Sequence, residues 1–159
     1  SLAKETKMAI HTAEAHITYG YRYFEVKKLT DSSHVPTKDL NDAGWDLYAN
    51  EDVQLWPEET KLISTGIAMS LPKGFVGLIW DRSSMGVKGI HRHAGVIDSS
   101  YRGEVKVCLH NTSGDLHKIK RGDRIAQLLI QEIPIFRIHE VEELDSTKRG
   151  SGGFGSTGK

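Results

Sequence analysis

A carboxylate, a phenol and a guanidinium stand within five residues of one another at Asp98, Tyr101 and Arg102. A carboxylate at the lip of a turn can take a proton from water, a phenol can pack on a sugar or a base, and a guanidinium can hold an anion. Upstream, Arg82-Ser83-Ser84 places a bidentate donor and two hydroxyls where an apolar strand gives way to a short helix. The free N–H groups of a helix start favour an anion there, although the two serines serve equally well as ordinary N-cap residues. Downstream, Gln127 sits among Ile125, Ala126, Leu128, Leu129 and Ile130. An amide in such company needs hydrogen-bond partners, from backbone or from a ligand. Near the C-terminal end Arg149, Ser156 and Thr157 add a guanidinium and two hydroxyls, and Phe154 stands among Gly150, Gly152, Gly153, Gly155 and Gly158. Glycine N–H groups can wrap phosphate closely because no Cβ intervenes.

Two other leads carry less. His91 and His93 are two apart, but no further cluster of Cys, His or carboxylate at zinc spacing accompanies them in the sequence. Gly153–Lys159 matches the first seven positions of a P-loop. The Ser/Thr that would hold Mg²⁺ does not follow, and no strand-helix-strand unit precedes, so that reading is rejected.

The elements that position these residues are short strands. Gly95–Val105 reads as strand, tight turn, strand, with Asp98-Ser99-Ser100 as the turn and Ala94, Val96, Val105, Val107 and Leu109 on one face. Tyr21–Leu29 reads as a first strand, Thr30–Asn41 as a loop, and Gly44 opens a strand with Leu47 and Ala49 inward. Further strands are expected at Val53–Trp56, Lys61–Leu71, and Phe75–Trp80, the last buried on both faces. A short helix runs from Ser83 to about Lys88, capped by serine, and Gly89–Ala94 is a loop. A turn at Asn111–Asp115, a short strand at Leu116–Ile119, a core strand at Arg124–Ile133 and an edge strand at Ile135–Ile138 complete the core. Many short strands with almost no helical periodicity indicate an all-β barrel or jelly-roll-like sandwich.

The chain has 159 residues, 38% of them hydrophobic and 26% charged, enough for one domain with a real core. Acidic and basic residues balance at 21 each, so the electrostatic footprint of a general nucleic-acid binder is missing and no direct nucleic-acid binding is expected. The single cysteine, Cys108, cannot form an intrachain disulfide, and points to the cytoplasm or another reducing compartment within the cell. No apolar run is long enough to span a membrane. Three segments emerge: an N-terminal extension of unassigned role over residues 1–20, a β core over 21–138, and an acidic then glycine-rich arm over 139–159 that cannot bury enough apolar surface to order itself.

Taken together, five stretches in one order resemble the all-β trimeric dUTP diphosphatase (dUTPase) family. They are Asp42–Ala49, Arg82–Gly86, Gly95–Val105, Gly122–Leu128 and Arg149–Gly158. The resemblance implies a jelly-roll-like distorted barrel of the β-clip type with one short helix, assembled as a homotrimer with shared active sites. Each site would draw the first, second and fourth stretches from one chain, the third from another, and the arm from the remaining one. It implies Mg²⁺-dependent hydrolysis of dUTP to dUMP and pyrophosphate, which keeps uracil out of DNA and supplies dUMP for thymidylate synthesis. Asp98 would be the general base, and Asp46 would meet the metal through water or support the site across the interface. Arg82, Ser83, Gln127, Arg149, Ser156 and Thr157 would bind phosphate, and Ser84 and Gly155 would also contact the substrate. The backbone from Gly95 through Ile97 to Tyr101 would read the uracil edge, with the Tyr101 ring excluding a 2′-hydroxyl and Phe154 stacking on the base. Arg92 departs from the pattern, standing where many members carry asparagine. The related dCTP deaminases use a glutamate ten residues after the aspartate; here that position is Cys108.

Overall fold

In the computed structural model, which describes residues 22–158, the described residues form ten strands and one helix of five residues. In chain order these are β1 (Glu25–Lys28), β2 (Trp45–Tyr48), β3 (Val53–Leu55), β4 (Thr60–Ser70), β5 (Phe75–Trp80), α1 (Ser83–Val87), β6 (Ile90–His93), β7 (Val96–Ile97), β8 (Glu104–Asn111), β9 (His117–Ile119) and β10 (Arg124–Glu132). One sheet runs β1-β4-β8-β6 and a second β2-β10-β5-β7, with β3 and β9 as a two-stranded ribbon. All pairings are antiparallel. The expected all-β architecture is what forms. The N-terminal extension over residues 1–20 falls outside the described residues.

Alternation decides which side chains enter the core. Val105, Val107 and Leu109 of β8 are buried while Lys106 is exposed. Ile63 and Ile67 of β4, Leu47 of β2, and Ile125 and Leu128 of β10 join them in one cluster spanning both sheets. Truncating any of these to alanine would cost about 2–5 kcal/mol. The buried Asn111 is fully paired: Nδ2 donates to the carbonyls of Leu55 (2.8 Å) and Asp115 (2.7 Å), and Oδ1 accepts from the Ser113 N–H.

Midway along β4 the register with β8 shifts between Ser64 and Ala68. Gly66 takes φ +67° there, and an added Cβ would lie 2.2 Å from Ser33 Oγ, so glycine is required. Glu104 Oε1 accepts the Gly66 N–H at 3.1 Å. That contact anchors the start of β8, just beyond the Asp98–Tyr101 lip.

Several expectations fail for reasons of non-local pairing. Gly95–Val105 is not a hairpin ladder: β7 pairs with β5 (Gly77↔Ile97, Leu78↔Val96), whereas β8 pairs with β4 and β6. Ile97 is therefore buried and Val96 exposed, the reverse of the expected phase. The expected loop at Gly89–Ala94 contains β6, because Ile90–His93 adds to the free edge of β8. Asn111 ends β8 rather than opening a turn. Trp80 is about half exposed, so β5 is not buried on both faces along its length. Arg82, with extended backbone, is the helix N-cap, and no serine side chain caps α1. Ile135–Ile138 is exposed and forms no strand, since no strand edge among the described residues receives it.

Candidate active site

The sequence brings Asp46, Arg82 and Gln127 together through β10. Its ladder aligns Gln127 with Asp46 on one side and Trp80 on the other. The Gln127 amide nitrogen donates to the Asp81 carbonyl at 2.8 Å, which answers the need for a partner at that position. Gly44 packs against the same side chain, with an added Cβ 2.2 Å from Gln127 Oε1. The end of β5 is thus held where Arg82 leaves it. Arg82 Nε then lies 3.3 Å from Asp46 Oδ1, and Arg124 Nη1 lies 3.4 Å from Asp46 Oδ2. Arg82 Nη1 also donates to the Arg124 carbonyl at 3.2 Å. One carboxylate therefore sets the direction of two guanidiniums.

Arg82 and Arg124 open on a cationic hollow of about 330 Å³ that Ser84, Lys88 and Lys118 also line, with Asp123 and His117 at its side. Burial, and then the Lys88 ammonium, push the His117 imidazole below its usual pKa, against a smaller opposing pull from Asp123. A concave site rich in Arg and Lys, with hydroxyls beside it, suits a polyanion such as a chain of phosphates. Ser83 is exposed at the first turn of α1.

Asp98 and Tyr101 lie elsewhere. Their hollow, about 270 Å³, is lined by Gly95, Val96, Ile97, Asp98, Tyr101 and Glu104 among others. It shares no lining residue with the cationic one. The lip is rigidly built. The Tyr101 N–H donates to the Asp98 carbonyl (3.0 Å), closing the turn, and the Tyr101 hydroxyl donates to the Glu104 carbonyl (2.9 Å). Arg102 Nη1 donates to the carbonyls of Ser99 (2.6 Å) and Tyr101 (3.0 Å). The Asp98 carboxylate is exposed, and no hydrogen bond or ion pair engages it among the described residues. Among the described residues β7 is the edge strand of its sheet, and no partner strand covers its outer backbone groups beside the hollow.

Residues 149–158 make only local turns. Arg149 Nε donates to the Gly152 carbonyl at 2.9 Å, and Phe154, with φ +51°, is fully exposed. Gly155, Ser156 and Thr157 are exposed as well. A single chain therefore presents the expected site residues as three separate groups: Asp46, Arg82, Ser83, Ser84 and Gln127; Gly95, Ile97, Asp98 and Tyr101; and Arg149 with Phe154–Thr157. Sequence reasoning passed over Arg124, although it lies inside one of the five stretches. Its signal was an arginine directly after Gly122-Asp123 at the mouth of a core strand.

Comparison with known proteins places the chain among enzymes of one kind. The dUTPase family model matches residues 31–158. The chain is 46% identical over 138 residues to the deoxyuridine 5′-triphosphate nucleotidohydrolase of Nocardia farcinica, spanning 84% of each. A solved variant of the Staphylococcus bacteriophage 80alpha dUTPase with dUpNHpp superposes with a TM-score of 0.79 at 30% identity, covering 87% of this chain and 100% of that one. A variant of the dUTPase from phage phi11 of S. aureus, solved with a coordinated structural Mg(II) ion, gives a TM-score of 0.72 at 28% identity over 79% of this chain and 100% of that one.

Proposed function

This chain belongs to the dUTPase family and is a dUTP nucleotidohydrolase, and from that premise we propose that it splits dUTP between the α- and β-phosphates by in-line attack of water, with Asp98 as general base. The observation that carries the reading is the unpartnered outer edge of β7 beside a free Asp98 carboxylate. A pyrimidine edge can pair with that backbone as a neighbouring strand would. Close backbone contact leaves no room for a 5-methyl group, and the amino group of cytosine would set donor against donor. The Tyr101 ring lies against the deoxyribose and excludes a 2′-hydroxyl.

The triphosphate takes the cationic hollow, where Arg82 and Arg124 with Ser83 and Ser84 offset its charge and Gln127 fixes the approach of Asp81-Arg82. Because the base-reading lip and this hollow are separate in one chain, a complete site needs a second copy, which fits a homotrimer. The arm of a further copy, docking Arg149, Gly155, Ser156 and Thr157 on the phosphates and Phe154 on the uracil, closes it. Residues 21–138 are then the core and 139–159 the closing arm.

The donor set fits a Mg²⁺ ion carried mainly by phosphate oxygens and water rather than by a protein cage. Among the described residues no three His, Cys, Asp or Glu side chains converge to hold an ion, and Asp46 is the carboxylate beside the cationic hollow's arginines. Asp46 would touch the ion's water shell while orienting Arg82. When bound, such an ion offsets phosphate charge and orients the pyrophosphate leaving group. Among the described residues no helix is long and apolar enough to cross a membrane.

Pyrophosphate release from dUTP, dTTP, dCTP and UTP, each with Mg²⁺ and with chelator, tests the reading. Selective, chelator-sensitive turnover of dUTP is expected. Equal turnover of all four would remove the β7 edge from its role.

A further inference from the structure

We propose that Arg92 is a positioning residue for uracil recognition, holding the Ala94–Gly95 corner against the end of β5 and so fixing where the reading edge of β7 lies. The inference rests on the reading of β7 as the uracil reader.

The chain changes sheets at this corner: β6 belongs with β8, and β7 with β5. The change is made with two left-handed residues in a row, Ala94 at φ +57° and Gly95 at φ +110°. Glycine accepts such a φ freely, whereas alanine does so only where its surroundings enforce it. Three contacts enforce it here. Arg92 Nη1 donates to the Ala94 carbonyl at 3.1 Å. The Arg92 guanidinium lies 4.8 Å over the Trp80 ring, the last residue of β5. The Arg92 N–H donates to Asp81 Oδ1 at 2.7 Å.

Gly95 is clamped from both sides as a result. Its carbonyl accepts the Ile79 N–H at 2.8 Å. A Cβ added to it would lie 3.0 Å from the Ile79 carbonyl oxygen and Cβ, and 3.6 Å from Arg92 Cδ. The Arg92 guanidinium therefore links the Trp80 ring to the Ala94 carbonyl. Arg92 Nε is buried with no hydrogen-bond partner among the described residues. The guanidinium thus leaves one donor unsatisfied in this position, the kind of local cost that persists where placement matters. An asparagine, which the family resemblance sets at this position, is too short to reach the ring and the carbonyl together. In this chain the position serves the base through the backbone rather than by touching it.

Arg92→Ala and Arg92→Met test this. Methionine keeps a stem to pack on Trp80 and Gly95, so it carries the experiment if the alanine variant fails to fold. For both, KM for dUTP should rise about tenfold with kcat within about threefold, and the preference for dUTP over dTTP should narrow about tenfold. Inhibition by pyrophosphate should be unchanged, because the substitutions keep the backbone N–H that bonds Asp81 beside Arg82, and the side chain they alter touches Ala94 and Trp80 instead. Arg92→Lys, which keeps a donor but not the planar face, should fall between. Loss of activity at an unchanged dUTP/dTTP ratio would mean that Arg92 only stabilises the fold. Weakened pyrophosphate inhibition would mean that it contacts phosphate directly. Either result overturns the proposal. If instead the unmodified protein shows no preference for dUTP, the base-reading role of β7 is lost at its root, an outcome distinct from both.

Discussion

Replacing Gly103 by alanine adds one methyl group, and the structure says where it goes. The new Cβ would lie 2.5 Å from the Tyr101 hydroxyl oxygen, 2.6 Å from Cζ and 3.0 Å from Cε2. The φ of Gly103 is not in the left-handed region, so alanine is acceptable to the backbone itself. The conflict is with the far end of a side chain that is already 46% exposed, and the ring can swing away into solvent. What is lost to the fold is the Tyr101–Glu104 hydrogen bond, worth about 1 kcal/mol at most, since water can replace the partner. For a chain of this size the thermal midpoint should fall by about 2–4 °C. The effect on sugar selection should be much larger. Packing that rejects an added hydroxyl is worth roughly 10² in kcat/KM, and a displaced ring forfeits most of it. The assay is kcat/KM for dUTP and UTP with the unmodified protein, Gly103→Ala and Tyr101→Phe. Phenylalanine keeps the ring and loses only the hydrogen bond, so it should retain most of the discrimination. A dUTP/UTP ratio in Gly103→Ala equal to that of the unmodified protein would refute the role given to the ring. A midpoint more than about 10 °C lower would show that the methyl disrupts backbone rather than the phenol.

Asp98→Asn should lower kcat by about 10²–10⁴ with KM for dUTP little changed, as measured by steady-state pyrophosphate release; unchanged kcat means another group takes the proton. Deleting Arg149–Lys159 should leave the circular dichroism spectrum and the oligomeric state intact while kcat/KM drops more than tenfold. Dissociation on sizing would make the arm an assembly device instead. His117 binds a proton less readily folded than unfolded. Its contribution to stability is therefore complete above its ordinary pKa near 6.5, and is lost as pH falls below that value toward the lowered folded one. The thermal midpoint should decline between pH 7 and pH 5.5, and His117→Gln should make that decline shallower; an identical slope would place the responsible group elsewhere.

Local pattern made the core strands readable. β5, β8 and β10 could be placed because their apolar residues alternate or run together between Gly- and Pro-marked turns. Partners were not readable in the same way. Ile90–His93 is polar enough to pass for a loop, and becomes a strand only because β8 offers an edge in register. Ile135–Ile138 is apolar enough to pass for a strand and finds no edge to join among the described residues. The same limit applies to the site. Asp98, Tyr101 and Gln127 stood out by type and neighbours, but the two arginines that share Asp46 come from positions far apart in the chain and met only through the β2-β10-β5 ladder. Arg124 was missed for that reason. The Arg92 contacts with Trp80 and Ala94 depend on a change of sheet that no run of residues announces.

The separation of the Asp98 hollow from the Arg82 hollow has a genetic consequence under the proposed shared-site assembly. A chain disabled at Asp98 still carries an intact Arg82 surface, and a chain disabled at Arg82 still carries an intact Asp98 lip. Each kind of homotrimer is inactive, yet a mixed trimer can align the sound half of one with the sound half of the other. In random equal mixing about one site in four would be whole in those two parts. Two alleles, each null alone, would then complement each other within a single gene. Conversely, a chain disabled at both positions would spoil sites on either side of it when co-expressed with an unmodified copy, and so behave as a dominant inhibitor.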